Sequence, residues 1–377
     1  MTSKEAVITL NLIPGIGSAR IRRLLETFGT PEIILHAPAS SLRQIQGIGS
    51  ELATQIAGWK TSTCAEKEIE LADRAGANIT TLFDSDYPES LRNIPDPPLV
   101  LYSFGTWSSS PNQRAISIVG SRLATHYGLM VARKIASSLA EKGITIISGL
   151  ARGIDTEAHR AAIAAGGKTI AVIGAGLNKL YPSENMNLAE QIAEGYGAVV
   201  SEFPMNFPPS KSTFPMRNRI VSAWSQATLV IEAPRKSGAL ITANTANEQG
   251  RLVYAVPGPI DRPHSEGCHE LIRQGATLVT NAAHIIDDLG WGASQQELPL
   301  EIPLSSHTPS RLHSIPMTED DQSILDYIAR GNASLDALSS VSGIPIGQIT
   351  GILAKLQISG LIIPLPGGLF SLKNGKY

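Results

Sequence analysis

Cysteine is nearly absent: 377 residues contain only Cys64 and Cys268. Two thiols exclude a disulfide framework and a four-thiolate metal site, and they fit a reducing compartment. No apolar run approaches the roughly 18 residues that would carry a helix across a bilayer. The opening residues, Met1-Thr-Ser-Lys-Glu-Ala6, lack the basic-then-apolar order of a secretory signal and include an acid, Glu5. A cytoplasmic location is therefore expected. Excess charge of one sign is also missing, since 31 basic residues face 33 acidic ones and the net charge is −2. The chain as a whole does not attract a polyanion, so a nucleic-acid surface must be a local cluster. What the chain does have is apolar material: 42% hydrophobic and 17% charged residues supply real cores and exclude wholesale disorder. At about 150 residues per domain, the length corresponds to two or three domains.

The texture changes along the chain. Residues 1–75 carry Gly15-Ile-Gly17 and Gly47-Ile-Gly49, each followed by an apolar-periodic stretch (Ile21, Leu24, Leu25, Phe28; then Leu52, Ile56). This predicts helix, glycine hairpin, helix, made twice. Residues 76–113, with Pro88, Pro95, Pro97 and Pro98, read as a connector with short strands. Residues 114–290 alternate helical stretches with six β-branched runs, at 115–119, 144–147, 169–173, 198–200, 228–231 and 252–256. Apolar runs of this kind suit strands buried on both faces, so an α/β domain with a parallel, doubly wound sheet is expected. Residues 291–316, with Pro299, Pro303, Pro309 and Pro316, read as a linker. In residues 317–377, Thr318 followed by Glu319, Asp320 and Asp321 starts a helix; two more helices and a hairpin then predict a winged helix.

In an open parallel sheet, ligands sit outside the carboxyl ends of the strands. Here those ends release Gly120-Ser-Arg122, Ser148-Gly-Leu-Ala-Arg-Gly-Ile-Asp155, Gly174-Ala-Gly176, Ser201-Glu202 and Pro257-Gly258. Tight turns explain the glycines but not Arg122 and Arg152 on two successive loops. A second cluster, Lys211-Ser-Thr-Phe-Pro-Met-Arg-Asn-Arg219, sets Phe214 among three cations just before a helix placed near Arg217. Cations hold phosphates, and an aromatic face stacks a base. A solvated basic loop would explain the charges but not the aromatic. In the glycine hairpins, Arg20, Arg22, Arg23 and Arg43 could add charge to backbone amides that approach a phosphate; a plain interhelical turn is the alternative. Asp155 is read as structural, and His159 has no ligand partner at metal spacing.

Other chemistries fail on the residues. Gly167-Lys-Thr169 has Ala162 where a phosphate loop needs its first glycine, and Gly174-Ala-Gly-Leu-Asn-Lys179 has Lys179 at the third glycine of a dinucleotide fingerprint. No cofactor and no catalytic constellation is expected.

Taken together, the segments resemble the DprA/Smf family (DNA processing protein A). The resemblance rests on Ser117-Ile-Val-Gly-Ser-Arg122, Ser148 to Asp155 with His159, Gly167 to Leu177, Tyr181-Pro-Ser-Glu-Asn185, Ser201-Glu-Phe-Pro204, Phe214-Pro-Met-Arg-Asn-Arg-Ile220, Glu232 to Ala243 and Ala255-Val-Pro-Gly258. It implies a Rossmann-like core flanked by a helix-hairpin-helix/SAM-like domain and a winged-helix domain. It implies a non-enzymatic protein of natural transformation and recombination that binds single-stranded DNA without sequence preference. Implied partners are single-stranded DNA, the RecA recombinase loaded onto it, the single-strand-binding protein displaced from it, and a second copy of the chain. By motif match the implied contacts are Arg122, Arg152, Lys211, Phe214, Arg217, Asn218 and Arg219, with Gly120, Ser121, Ser148 and Gly149 as backbone or hydroxyl donors.

Two other readings compete. A Rossmann-like nucleotide phosphoribohydrolase would use Arg152 and Glu232 as its catalytic pair, although the usual Pro-Gly-Gly-x-Gly-Thr-x-x-Glu stretch is missing. A transcription regulator would use the winged helix. Against that, Glu319, Asp320, Asp321, Asp326 and Asp336 outweigh Arg330, Lys355, Lys373 and Lys376, and the third helix carries only Lys355.

Overall fold

A computed structural model describes residues 1–108, 110, 113–292, 317–331, 333–359, 361–365 and 369–372. Most of the proline-rich stretch read as a linker lies outside these residues, as do Gly367, Lys373 and Lys376. The chain divides into two compact units, Met1–Gln296 and Glu297–Tyr377. No single helix among the described residues is long and apolar enough to cross a membrane.

The first unit is built on a nine-stranded sheet: β1 (Asn78–Thr81), β2 (Val100–Gly105), β3 (Ala115–Gly120), β4 (Thr145–Ser148), β5 (Thr169–Val172), β6 (Gly197–Ser201), β7 (Ala227–Ile231), β8 (Leu252–Ala255) and β9 (Thr277–Leu278). Their spatial order is β1-β2-β6-β5-β4-β3-β7-β8-β9. Strands β6 to β9 in that order run parallel, and all six apolar runs of the sequence lie among them. Two strands of the proline-rich stretch extend the sheet differently. β2 joins β6 antiparallel, and β1 joins β2 antiparallel.

The period-2 alternation of a strand sorts the side chains to two cores. From β3, Ile116 and Ile118 pack with Ala132, Ile135 and Leu139 of helix His126–Glu141, and with Ala158 of helix Ile154–Ala164. Ala115 and Val119 point the other way, into a cluster with Ile220 and Val221 of helix Thr213–Ala223 and Ala239 of helix Gly238–Glu248. Each fully buried Ile or Val contributes about 1.5–3 kcal/mol, and this two-sided burial holds the strand ends in one plane. The chain leaves β3 toward β4, β5 and β6, then returns to place β7 on the other side of β3. That reversal opens a crevice between the carboxyl ends of β3 and β7, where such sheets bind ligands.

The preceding helices form the expected pair of hairpins. Helices Ser3–Leu12 and Ser18–Phe28 flank the first, and Ala39–Leu42 and Ser50–Ala57 flank the second. Gly15 (φ +79°) and Gly47 (φ +88°) take the left-handed conformation these turns need. Ile21, Leu24 and Ile56 are fully buried, while Leu25, Phe28 and Leu52 pack at the margin. The arginines are exposed, but Arg20, Arg22 and Arg23 also bind backbone carbonyls. Arg20 donates through Nε to Gly47 O (2.9 Å) and through Nη1 to Gly15 O; Arg23 donates to Gln46 O (2.9 Å). They brace the two hairpins against each other. Arg22 donates to Ile94 O (2.8 Å), and buried Glu68 accepts from Met205 N (2.7 Å), which fastens the helices to the sheet.

The second unit has helices Glu319–Ala329, Leu335–Ser342 and Ile346–Ile358 and a three-stranded sheet of β10 (Ala333–Ser334), β11 (Ile362–Leu365) and β12 (Leu369–Leu372). Thr318 caps the first helix, with Asp321 completing a capping box. Asp321 also pairs with Lys355 (2.5 Å), so the third helix's one cation has an internal use. Ile324, Ile328, Leu338, Ile349 and Leu353 form its core.

Candidate nucleic-acid interface

Helix Thr213–Ala223 organises the rim. It begins at Thr213, four residues before the start expected from the sequence. The Thr213 hydroxyl donates to Gly174 O (2.6 Å) and pins the first turn to the loop after β5. At 3.6 residues per turn, Phe214 and Arg217 share a face, while Arg219 points about 200° away from Arg217. The basic run is thereby split.

Arg217 is buried, at 3% exposure. Its Nη1 donates to Gly149 O and Val172 O, which ties the loop after β4 to the end of β5, and its Nε donates to Asn218 Oδ1 (3.2 Å). Asp155 balances the charge. Its Oδ2 accepts from Gly149 N (3.1 Å) and Ala151 N (3.4 Å), so it holds the loop before its helix instead of capping the helix itself. Burial pulls the Arg217 guanidinium down to about 10, with Asp155 pushing back, so the side chain stays charged at neutral pH. Burial raises the Asp155 carboxyl, and Arg217 opposes this. Gly149 has to be glycine: a Cβ there would stand 2.6 Å from Arg217 Cζ. The next residue, Leu150, holds a left-handed φ of 55°, and its carbonyl accepts from buried Asn185 (2.9 Å).

Around this buried post lies an exposed shelf. Arg122 sets its guanidinium 5.1 Å from the Phe214 ring centroid, and Tyr181 lies 5.9 Å from the same ring. Together with Arg152, Gly149, Pro182 and Arg217 they line one small pocket. Arg152 is half exposed and pairs with Glu184, an arrangement that solvent weakens. Lys211 is exposed at the loop before the helix. Arg122, Arg152, Phe214 and Arg217 are thus brought together.

Other expected residues are placed differently. Arg219 is only 11% exposed and pairs with Asp96 (2.9 Å) and Glu202 (2.5 Å), away from the shelf. It is a packing charge, which corrects its reading as a rim cation. Burial raises the Glu202 carboxyl against the pull of Arg219. The donor groups of the rim are largely spent: Ser148 Oγ donates to Ile118 O (2.6 Å), Gly149 N to Asp155 and Ser121 N to Glu232 O (2.8 Å). Gly120 serves close packing, because a Cβ there would meet Ile154 Cγ1 at 2.6 Å. The proposed catalytic pair is likewise committed elsewhere. Glu232 accepts from Thr125 N (2.8 Å) and from the Thr125 hydroxyl, and Arg152 faces Glu184.

His159 is fully buried. Its Nδ1 meets Thr169 Oγ1 (2.6 Å), and burial, with Arg217 nearby, lowers it to about 3. Among the described residues no group of three or more His, Cys, Asp or Glu gathers as a metal site.

Sequence reasoning missed Tyr181, whose place beside Phe214 is set by the fold, and also Lys236 and His264. Lys236 follows β7 in Pro234-Arg-Lys-Ser-Gly238, so the strand-end rule applied to that strand would have found it. Both line a wider cleft of about 670 Å³ that shares Arg122, Gly149, Ala151 and Arg217 with the first pocket.

Comparison with known proteins gives three domain matches. The profile of DNA recombination-mediator protein A matches residues 78–290, that of the SAM-like helix-hairpin-helix tandem residues 7–57, and that of the DprA winged helix domain residues 308–368. Protein Smf of Synechocystis sp. is 34% identical over 94% of this chain and 95% of its own length. The crystal structure of DNA processing protein A from Streptococcus pneumoniae superposes with a TM-score of 0.66 at 33% identity, covering 76% of this chain and 98% of that one. DNA processing protein A of Helicobacter pylori, whose structure is described for its single-stranded DNA binding mode, matches with a TM-score of 0.50 at 29% identity, covering 56% and 95%.

Proposed function

This chain belongs to the DNA recombination-mediator protein A (DprA/Smf) family, and we propose that it binds single-stranded DNA at the rim of its central sheet. The observation that carries the proposal is the shelf: Arg122 lying over Phe214, Tyr181 beside it, and the charged post of Arg217 beneath. A base stacked on Phe214 takes the face Arg122 now covers. Arg122 then swings aside to a phosphate, so one displacement yields both a stack and an ionic contact. Stacking needs an unpaired base, which a duplex hides, and every base has a face to offer, so sequence preference is low. The Helicobacter pylori relative's single-stranded DNA binding supports the same substrate class.

In this reading the rim residues that touch DNA are Arg122, Arg152, Lys211, Phe214 and Asn218, and the chemistry is binding alone. Arg217, Gly149, Ser148, Ser121 and Gly120 position them. The strand so held is protected and passed to RecA as single-strand-binding protein is displaced, in the course of transformation and recombination. A homodimer places two such rims on one strand and raises the effective concentration of the second. The domain limits at 75, 113, 290 and 316 remain part of this proposal.

The test is fluorescence anisotropy of a labelled thymidine oligomer with the full chain and with Phe214→Ala. Losing one stacked base removes about 1–3 kcal/mol, a weakening of roughly 5- to 150-fold. Unchanged affinity in the variant rules the shelf out. Release of free base from nucleoside monophosphates, abolished by Glu232→Gln, would instead favour the hydrolase.

A further inference from the structure

The cleft at the β3–β7 crevice is continuous with the Phe214 pocket, and the two share Arg122, Gly149, Ala151 and Arg217. Its far wall comes from the loop after β7, where Lys236 is exposed and has no ion-pair partner among the described residues. A third side comes from the loop after β8, where the His264 ring donates through Nε2 to Leu123 O (3.0 Å) and braces the mouth across the crevice. Leu123 itself is 81% exposed there and presents apolar surface.

Three cations, Arg122, Arg217 and Lys236, line this cleft against one carboxylate, Asp155, which two backbone amides and Arg217 already neutralise. On a chain whose net charge is −2, that is a local positive trough. It is far larger than the pocket beside Phe214. Its chemistry is cation, backbone and one apolar patch, which suits a sugar-phosphate link with a loosely seated base.

We propose that the crevice is a second subsite, in which Lys236 binds an internucleotide phosphate of the same strand whose neighbouring base stacks on Phe214. The strand then runs from the Tyr181–Phe214 shelf, past Arg122, to Lys236 over the topological switch point. This deepens the single-strand reading and rests on it. Arg122 is the hinge between the subsites, and Leu123 meets the next base at the mouth.

The experiment uses the full chain, Lys236→Ala and Lys236→Arg, with a labelled thymidine dodecamer and unlabelled thymidine nucleoside as competitor. Losing one charge-assisted phosphate contact weakens dodecamer binding roughly tenfold and reduces the slope of log affinity against log salt by about 0.7. The nucleoside, which has no phosphate and reaches only the Phe214 shelf, competes equally against wild type and Lys236→Ala, and Lys236→Arg restores dodecamer binding. Equal dodecamer affinity and slope in wild type and Lys236→Ala would overturn the subsite. A loss confined to oligomers with a 5′-phosphate would also overturn it, in favour of end capture. Failure of the wild-type chain to bind the dodecamer at all would remove the single-strand reading together with it.

Discussion

Replacing Gly149 by alanine tests the buried post on which the rim depends. The new Cβ would stand 2.6 Å from both Arg217 Cζ and Nη2, so the guanidinium must leave its seat. The backbone there is not in the left-handed region, so the cost falls on Arg217 alone. Once displaced, it no longer donates to Gly149 O and Val172 O, and Asp155 is left buried without its cation. Losing two hydrogen bonds from a buried charged group costs about 3–6 kcal/mol, at about 1.5–3 each. In a unit of this size each kcal/mol lowers the melting temperature by about 2–4 °C, so Gly149→Ala should melt roughly 6–24 °C below wild type. Gly238→Ala is the control, since nothing lies within 4 Å of its Cβ position; its melting temperature should stay within a few degrees. Thermal unfolding by circular dichroism reads both. A Gly149→Ala protein that melts with the wild type refutes the seating of Arg217.

Arg122→Ala and Arg219→Ala should separate cleanly: the first weakens single-strand binding without lowering the melting temperature, and the second, by stranding Glu202 and Asp96, lowers the melting temperature. The reverse pattern in paired binding and melting measurements contradicts the placement of the two side chains. The free imidazole protonates near 6.5 but buried His159 only near 3, so between these values the unfolded chain binds the extra proton and stability falls with pH. At pH 4.5 this costs on the order of 3 kcal/mol, and His159→Gln should flatten the wild-type loss between pH 6.5 and 4.5 in urea titrations.

Much of this was legible in the residues. Short β-branched runs bounded by glycine named the six central strands, because a strand buried on both faces needs continuous apolar side chains. Strands β1 and β2 were less visible: their partners are antiparallel and distant in sequence, and prolines surround them. Arg122 and Phe214 were found from the rule of strand ends and from an aromatic set among cations. What the sequence could not assign was the direction of each arginine. Starting the helix at 213 rather than 217 puts Phe214 on the face of Arg217 and leaves Arg219 on the other side, and nothing local distinguishes a guanidinium that meets solvent from one that binds carbonyls. Arg20 and Arg23 make the same point, because the carbonyls that capture them belong to hairpins some 25 residues apart.

The most direct measurement is the affinity of the full chain for a single-stranded oligomer and for its duplex across a series of salt concentrations. The rim described here predicts much tighter binding of the single strand, weakening steadily with salt, and a loss of that preference in Phe214→Ala. Equal affinity for the two forms, or a preference for single strands that survives removal of the Phe214 ring, contradicts it.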